Sequence, residues 1–464
     1  MKLYNTLTRK IDNFTPIHNE LIRMYSCGPT VYDHIHIGNL SSFVYADTLR
    51  RALKAKGQKV RHVMNFTDVD DKTIKRSRES YSDLAPKDAL KKLTGICSEL
   101  FLKDMQAIGN NTDDLEFIRA TDSIEGIRQL IKELYQDGFA YVTEDGVYFS
   151  IEKYVASGKV YGQLSKISSS STSQARIDND EYDKDSVHDF ALWKVQKDDE
   201  PAWAFELDSK DLTGRPGWHI ECSVMSVSKL GQPFDIHTGG VDLVFPHHEN
   251  EIAQSTAGAG KVYANFFFHN EHLLVDGKKM SKSLGNFYTL EDIKKKGFEP
   301  LAFRLMVLQS HYRKQSNFTW ENLEAAQNRL RDLRAWADMR FQNLKSKQLQ
   351  KYYTEVLSSL HTEIADDLNT PGLLSLVSGA ISRVEELGAD SQAIETLAHE
   401  IDSLLALSIT DSSDISTEQK EIITNRQKAR NDQDFKKSDD LRDELQKQGI
   451  GTKDTDQGQI WFRL

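Results

Sequence analysis

IRMYSCGPTVYDHIHIGNLSSFVYADTLRRALKAKGQKVRHVMNF (residues 22–66) is the stretch whose reading decides the fold. IRMYS, residues 22–26, reads as a short strand, and CGPT breaks it. From Gly38 to about Lys56 the spacing predicts a helix, with Phe43, Ala46, Leu49 and Leu53 on one face. Val60 to Phe66 reads as the next strand. Strand, helix and strand in so short a span predict a βαβ unit and a parallel sheet, and the expected class is α/β with a Rossmann-like domain. In such sheets ligands bind outside the carboxyl ends of the strands. Cys27 to Gly38 would sit at that edge after the first strand, and Thr67 to Asp71 after the second.

Working outward, strand-like pieces return around Phe234–His237 and Phe266–Leu274. Between them and the first unit, residues 165–187 hold the serine run Ser168 to Ser171 and an acidic stretch, which read as a surface loop or insertion. From Trp320 to Leu407 the pattern is helical, with Leu323, Leu330, Leu333 and Trp336 at helical spacing. Asn369-Thr370-Pro371 reads as a helix start, a cap residue followed by proline in the first turn. Residues 409–418, ITDSSDISTE, look like a linker, and a small charged segment follows. The expected domains are 1–315, catalytic, with an insertion around 110–210; 316–408, a helical bundle; and 409–464, a small C-terminal domain.

The chain has 464 residues, 39% of them hydrophobic and 28% charged, the composition of an ordinary soluble protein. No run approaches a membrane span, and the start MKLYNTLTRKIDNF has no apolar stretch of the secretory kind. Three cysteines cannot frame so long a chain with disulfides, so a reducing cytoplasm is expected. The formal net charge of −11 speaks mildly against nucleic acid. Net charge says little about local patches, and basic clusters do occur: Lys72, Lys75, Arg76 and Arg78; Lys278, Lys279 and Lys282; Lys294, Lys295 and Lys296. Each reads first as a solvated face.

Three constellations carry chemistry. His36-Ile37-Gly38-Asn39 follows a strand and opens a helix, where backbone N–H groups and the helix dipole favour a phosphate. A His-x-Gly turn at a strand end is also an ordinary structural turn. Lys279-Met280-Ser281-Lys282-Ser283 places two lysines in a polar loop that can neutralise a triphosphate, or that is simply solvated. Cys27, Cys222 and the run Pro246-His247-His248-Glu249-Asn250-Glu251 are metal-ligand types. With Pro246 in a first turn, His247 and Glu251 fall at i and i+4 on one face, which suits either a metal or a surface pair. Cys97 lies in a helical stretch and reads as core packing.

Taken together these residues resemble the class I aminoacyl-tRNA synthetases, whose signatures are HIGH and KMSKS, and within them the cysteinyl branch. The stretches that carry the resemblance are CGPTVYDHIHIG (27–38), NFTDVDDKTI (65–74), GRPGWHIECS (214–223), DIHTGGVDLVFPHHENEIAQS (235–255) and KKMSKSLGN (278–286). They stand in the family's order, and the resemblance runs through the tail NRQKARNDQDFKKSDDLRDELQKQGI. It implies that Cys27, Cys222, His247 and Glu251 hold one Zn²⁺. It implies that His36, Gly38, Asn39 and Lys282 line the ATP site, with His36, Lys279 and Lys282 assisting the chemistry and Mg²⁺ accompanying ATP. It places Thr67 and Trp218 beside substrate cysteine. The implied partners are ATP, L-cysteine and tRNA(Cys), for a chain expected to act as a monomer, with an anticodon-binding domain at 409–464.

Two positions depart from the family pattern. Asn39 stands where the class signature ends in histidine, and Thr238 stands where the family usually has glycine. Four protein ligands usually mark a closed zinc site, whereas the implied chemistry requires the metal to add a substrate sulfur. From Thr424 to Arg463 there are nine Lys or Arg against eight Asp or Glu, so base contacts and stacking would have to read the anticodon. Trp461 could stack on a base or be a buried hydrophobic residue. Two rival readings exist: a cysteine:amino-sugar ligase of the mycothiol-synthesis type, which lacks the full tRNA-binding tail, and a non-catalytic zinc-and-RNA binding module, which has no use for both nucleotide motifs.

Overall fold

The computed structural model describes residues 1–165, 172–177, 187–258, 262–280, 285–455 and 458–464, with 172–177 described in backbone only. The chain divides into two units, residues 1–292 with 312–317, and residues 293–311 with 318–464.

In the first unit the quoted stretch folds as its spacing requires. Strand β1 (Leu21–Ser26) leads through the CGPT turn to helix α1 (Ile37–Ala55), which returns to strand β2 (Lys59–Phe66). Helix α1 buries Leu40, Phe43, Ala46, Leu49 and Leu53, the stripe read from the sequence together with its neighbours. Strand β3 (Leu115–Arg119) follows β2 in the sheet. After helices α2 (Ile124–Gln136) and α3 (Trp218–Leu230) come β4 (Phe234–Gly240), helix α4 (Glu249–Thr256) and β5 (Ala264–Asn270). The five strands stand in the order β5-β4-β1-β2-β3, with every neighbouring pair parallel. That is a doubly wound sheet whose order reverses between β1 and β4, and the crevice for ligands opens at such a switch point. Cys27 leaves β1 there, its N–H donating to the carbonyl of Thr238 on β4 at 3.2 Å.

A second five-stranded sheet, mostly antiparallel, is built from Ala140–Val142, Gly146–Phe149, Val187–Val195, Gly214–Pro216 and Thr172–Ile177. Part of the 165–187 stretch, read from its polarity as a surface loop or insertion, holds a strand and not only loop: Thr172–Ile177 pairs in parallel with Val187–Val195. Backbone pairing makes that strand, and serine-rich composition does not reveal it; Ser168 to Ser171 lie outside the described residues. Phe149, Phe190, Leu192 and Trp193 of this sheet pack on Ile127, Ile131 and Leu134 of α2. Cys97 is buried in the helix Pro86–Ala107, as core packing requires. The 266–274 stretch, read as one strand-like piece, divides into β5 and a separate short strand, Leu273–Val275.

In the second unit, helices run from Trp320–Ala337 through Lys347–Ala365 and Thr370–Ser382 to Ser391–Leu405. Asn369 caps its helix by accepting from the N–H of Gly372, and Pro371 stands in the first turn. The 409–418 segment is pinned more firmly than a flexible linker. Asp402 accepts from the N–H groups of Ile409 and Thr410, Arg340 donates to the carbonyls of Thr410 and Ser412, and Ile409 and Ile415 are buried. Two helices, Thr417–Asn431 and Phe435–Lys447, and the antiparallel pair Ile450–Thr455 and Gly458–Arg463 complete the tail. Trp461 is buried at 4% exposure with Ile415, Leu445 and Ile450, so the stacking alternative for it falls away. Among the described residues no helix is long and apolar enough to cross a membrane.

Candidate active site and metal centre

Three elements meet at the end of the sheet to place a cluster of soft and borderline ligand atoms. Cys27 comes from the end of β1, Cys222 from α3, and His247 and Glu251 from the entry to α4. Phe245 is extended (φ −138°, ψ 134°), as the residue before a proline prefers, so helical backbone begins only after it and His247 and Glu251 share one face. Their side chains meet: His247 Nε2 lies 3.0 Å from Glu251 Oε1. Cys27 Sγ stands 4.0 Å from Cys222 Sγ and 3.7 Å from Glu251 Oε1. One ligand atom from each of the four lies within 4.8 Å of all the others.

The cluster is larger than the sequence reading. Cys27, His237, His248 and Glu251 converge equally closely. His248 Nε2 lies 3.4 Å from Cys27 Sγ, and His237 Nε2 lies 2.8 Å from Glu251 Oε2. Tyr263 OH donates to that same carboxylate oxygen at 2.7 Å. His219 Nδ1 lies 2.8 Å from His247 Nδ1, and His269 Nε2 lies 2.8 Å from His248 Nδ1. Burial lowers His247, His219 and His269 to about 3, and His248 well below its usual value, so these imidazoles are neutral and offer a lone pair. Burial pushes the Glu251 carboxyl up, but His237, His247 and Tyr263 outweigh it and hold the group below its usual value. Burial and the neighbouring Cys222 and Glu251 push the Cys27 thiol well up.

Cys27 also lines a cavity of about 320 Å³, together with Thr30, His36, Asn39, Lys72, Trp218 and Thr238. A second cavity of about 250 Å³ shares His36, Asn39, Ser42, Gly240, Asp242 and Asn270 with it, and adds Gly38 and Lys279. His36 is the N-cap of α1, and its Nδ1 accepts from the backbone N–H of Asn39 at 3.3 Å. That bond puts the ring proton of neutral His36 on Nε2. Gly38 sits close to two neighbours: a Cβ there would meet Met280 Cε, the movable end of its side chain, and His36 Nδ1 at 2.9 Å. The signature turn and the Lys-Met pair are thus in direct contact. Segment 287–289 reinforces this, since Ile37 N–H donates to the carbonyl of Tyr288 at 2.9 Å. Lys282 lies outside the described residues.

Trp218 lines the larger cavity and stacks on His247, ring centres 4.3 Å apart. Thr67 does not line it. Thr67 is buried behind the wall, its carbonyl accepting from Val31 N–H and its N–H donating to the carbonyl of Pro29. It shapes the 29–31 turn from beneath. Gly28 is equally constrained, since a Cβ would overlap the Asn65 carbonyl oxygen. The Thr238 hydroxyl lies 2.6 Å from Ser26 Oγ, which in turn is 2.7 Å from His62 Nε2, so this departure is a bonded part of the cavity floor.

The chain matches the tRNA synthetases class I (C) catalytic domain over residues 13–328 and the cysteinyl-tRNA ligase anticodon binding domain over residues 412–461. It is 39% identical to the cysteine–tRNA ligase of Solibacter usitatus, covering 100% of this chain and 99% of that one. It is 40% identical to the cysteine–tRNA ligase of Chlamydia muridarum, covering 97% of each. Among solved structures, a Mycobacterium tuberculosis methionyl-tRNA synthetase bound by methionyl-adenylate aligns with a TM-score of 0.62 at 12% identity, over 84% of this chain and 93% of that one. A ternary complex of an Agrobacterium radiobacter LeuRS aligns with a TM-score of 0.60 at 10% identity, over 86% and 85%. At such identities the two structures speak to fold alone. With both family models matched and end-to-end relatives at this level of identity, the chain belongs to the cysteine–tRNA ligase family of class I aminoacyl-tRNA synthetases.

Proposed function

We propose that this chain activates L-cysteine with ATP and transfers it to the 3′ end of tRNA(Cys). The observation that carries the reading is that one residue, Cys27, belongs both to the ligand cluster and to the wall of the cavity that His36 and Asn39 line. A thiol-seeking centre and a phosphate-seeking helix start therefore face the same space.

The donor set fits zinc. Two sulfurs, an imidazole and a carboxylate converge on one point, which is the N/S-rich mixture this metal takes. Cys27, Cys222, His247 and Glu251 would hold it. When bound, zinc supplies a borderline-soft Lewis acid that favours a thiolate over an alcohol.

The chain's own groups do the rest. In the first step a carboxylate oxygen of cysteine attacks the α-phosphorus of ATP, the bond to the bridging oxygen breaks, and pyrophosphate leaves with its electron pair. Two anions must approach, so the task is positioning and charge neutralisation. His36 offers Nε2–H, Asn39 an amide N–H, α1 its positive end, and Lys279 an ammonium group, with Mg²⁺ on the phosphates. We assign Lys282 to the triphosphate from its place in the motif. In the second step a terminal ribose hydroxyl of tRNA attacks the adenylate carbonyl and AMP leaves. Trp218 closes the substrate side of the cavity, and Thr67 holds the 29–31 turn that faces it.

Size alone separates serine from cysteine poorly, since one small group is worth roughly 1–3 kcal/mol. A sulfur-selective centre supplies discrimination that shape does not. The tail, 409–464, serves tRNA in this account, and the match over residues 412–461 favours it over the amino-sugar ligase reading. Measuring cysteine-dependent ATP–pyrophosphate exchange and charging of tRNA(Cys) on one preparation tests the proposal. Exchange without charging would return the amino-sugar reading.

A further inference from the structure

Behind the two helices that carry Cys222 and Glu251 lies a cavity of about 520 Å³, walled by α2, α3 and α4. It shares no lining residue with the substrate and nucleotide cavities. Its volume is within the range of small-molecule sites.

Two polar groups at this cavity have no hydrogen-bond partner among the described residues. Gln254, 1% exposed, uses its Oε1 to accept from Ser223 Oγ at 2.6 Å, and its Nε2 meets no acceptor among the described residues. Ser255, 8% exposed, has an unpartnered Oγ. Buried polar groups in folded proteins are almost always satisfied, so such a pair at a cavity of this size marks an incomplete site. Leu130 and Leu134 of α2 and Val224 and Val227 of α3 supply an apolar wall. Glu133 and Asp137 supply two carboxylates, and among the described residues none of those lining it is a lysine, arginine or histidine.

We propose that this cavity binds a small organic cation that carries a hydrogen-bond acceptor. Its carbonyl or hydroxyl oxygen meets Gln254 Nε2 and Ser255 Oγ, its apolar body lies against the leucines and valines, and its ammonium group faces Glu133 and Asp137. An α-amino amide has all three features. Because Ser223 follows Cys222, and Gln254 lies one helical turn from Glu251, an occupant would brace the two helices that hold the metal ligands from behind.

Titration calorimetry on the full chain tests this with leucinamide as probe, alongside isoamylamine, which lacks the acceptor, and N-acetyl-leucinamide, which lacks the charge. The expected result is saturable binding of leucinamide with a Kd of about 1 mM or tighter, and at least about tenfold weaker binding of both controls. Val227→Trp, which fills the cavity, should abolish binding. Gln254→Leu should weaken it about tenfold, and this variant decides the matter if Val227→Trp does not fold. No saturable binding of leucinamide to the parent chain would overturn the proposal. Binding that both variants leave unchanged would place the ligand elsewhere and overturn it equally.

Discussion

The indole of Trp218 lies face to face with the imidazole of His247, ring centres 4.3 Å apart and planes 24° from parallel. One ring lines the substrate cavity and the other belongs to the metal-ligand cluster, so the pocket and the cluster are mechanically one object. Removing the indole opens the wall and frees the ligand ring on one face. Trp218→Ala should raise the KM for cysteine about tenfold, consistent with loss of a stacked aromatic contact worth roughly 0.5–1.5 kcal/mol plus its burial. Trp218→Phe should recover most of the loss, and both variants should keep their zinc. An unchanged KM in Trp218→Ala would show that the indole does not border bound cysteine.

Two overlapping donor sets make zinc content a sharp test. If Cys222 and His247 complete the site, then Cys222→Ser and His247→Ala should both lose most of their zinc on dialysis, while His248→Ala should retain it. A serine hydroxyl is a poor ligand for a metal that prefers thiolate. Elemental analysis of the three variants decides. Zinc retained in Cys222→Ser and lost in His248→Ala would assign the site to Cys27, His237, His248 and Glu251.

The start of α1 was legible from residues alone, and much of the metal cluster was not. Strand, turn and helix from Ile22 to Phe66 follow from apolar spacing and the CGPT break, because local pattern governs local structure. His247 and Glu251 were readable as a pair because four residues make one helical turn. His237 and His248 stood in the quoted stretches, but their roles depend on β4 lying beside β1, a contact that no spacing within one segment reveals. Asp242 and Asn270 at the nucleotide cavity were missed for the same reason. Thr172–Ile177 was hidden by composition, since its pairing partner lies elsewhere in the chain. Trp461 could not be placed until the pairing of the last strands showed which face turns inward.

At the helix start, Asn39 has two separable roles. Its backbone N–H donates to His36 Nδ1, and the residue lines both cavities, where its amide can serve. Asn39→Ala keeps the first and removes the second, so it should slow adenylate formation by about tenfold or less, the scale of one neutral hydrogen bond of roughly 1 kcal/mol. Asn39→His should equal or exceed the parent rate. Gly38→Ala should be worse than either, because the new methyl group crowds the His36 ring at 2.9 Å as well as the movable end of Met280. Single-turnover rates of adenylate formation rank the three, and a Gly38→Ala enzyme at the parent rate would separate the two motifs mechanically.

The tail is bound into the second unit through charge as well as packing. Asp338, 1% exposed, is held by Arg463 and by the Ser412 hydroxyl, with Arg340 Nη1 at 3.4 Å. Deleting residues 412–464 removes Arg463 and Ser412 and exposes the surface that Trp461 covered, so it should abolish charging of tRNA(Cys) and lower the unfolding midpoint. Adding Asp338→Asn to the deletion should recover part of the lost stability without restoring charging. Denaturant midpoints and aminoacylation, measured side by side, separate the two effects, and full charging by the truncated chain would contradict the role given to the tail.

If sulfur, read at the Cys27 cluster, selects the substrate, the enzyme must separate cysteine from serine. Amino-acid-dependent ATP–pyrophosphate exchange with cysteine and with serine measures it directly. Exchange is expected with cysteine, and a serine rate lower by well over a hundredfold, beyond the roughly 1–3 kcal/mol that shape alone provides. Serine exchange within about tenfold of cysteine, a gap of only ~1.4 kcal/mol, would contradict it.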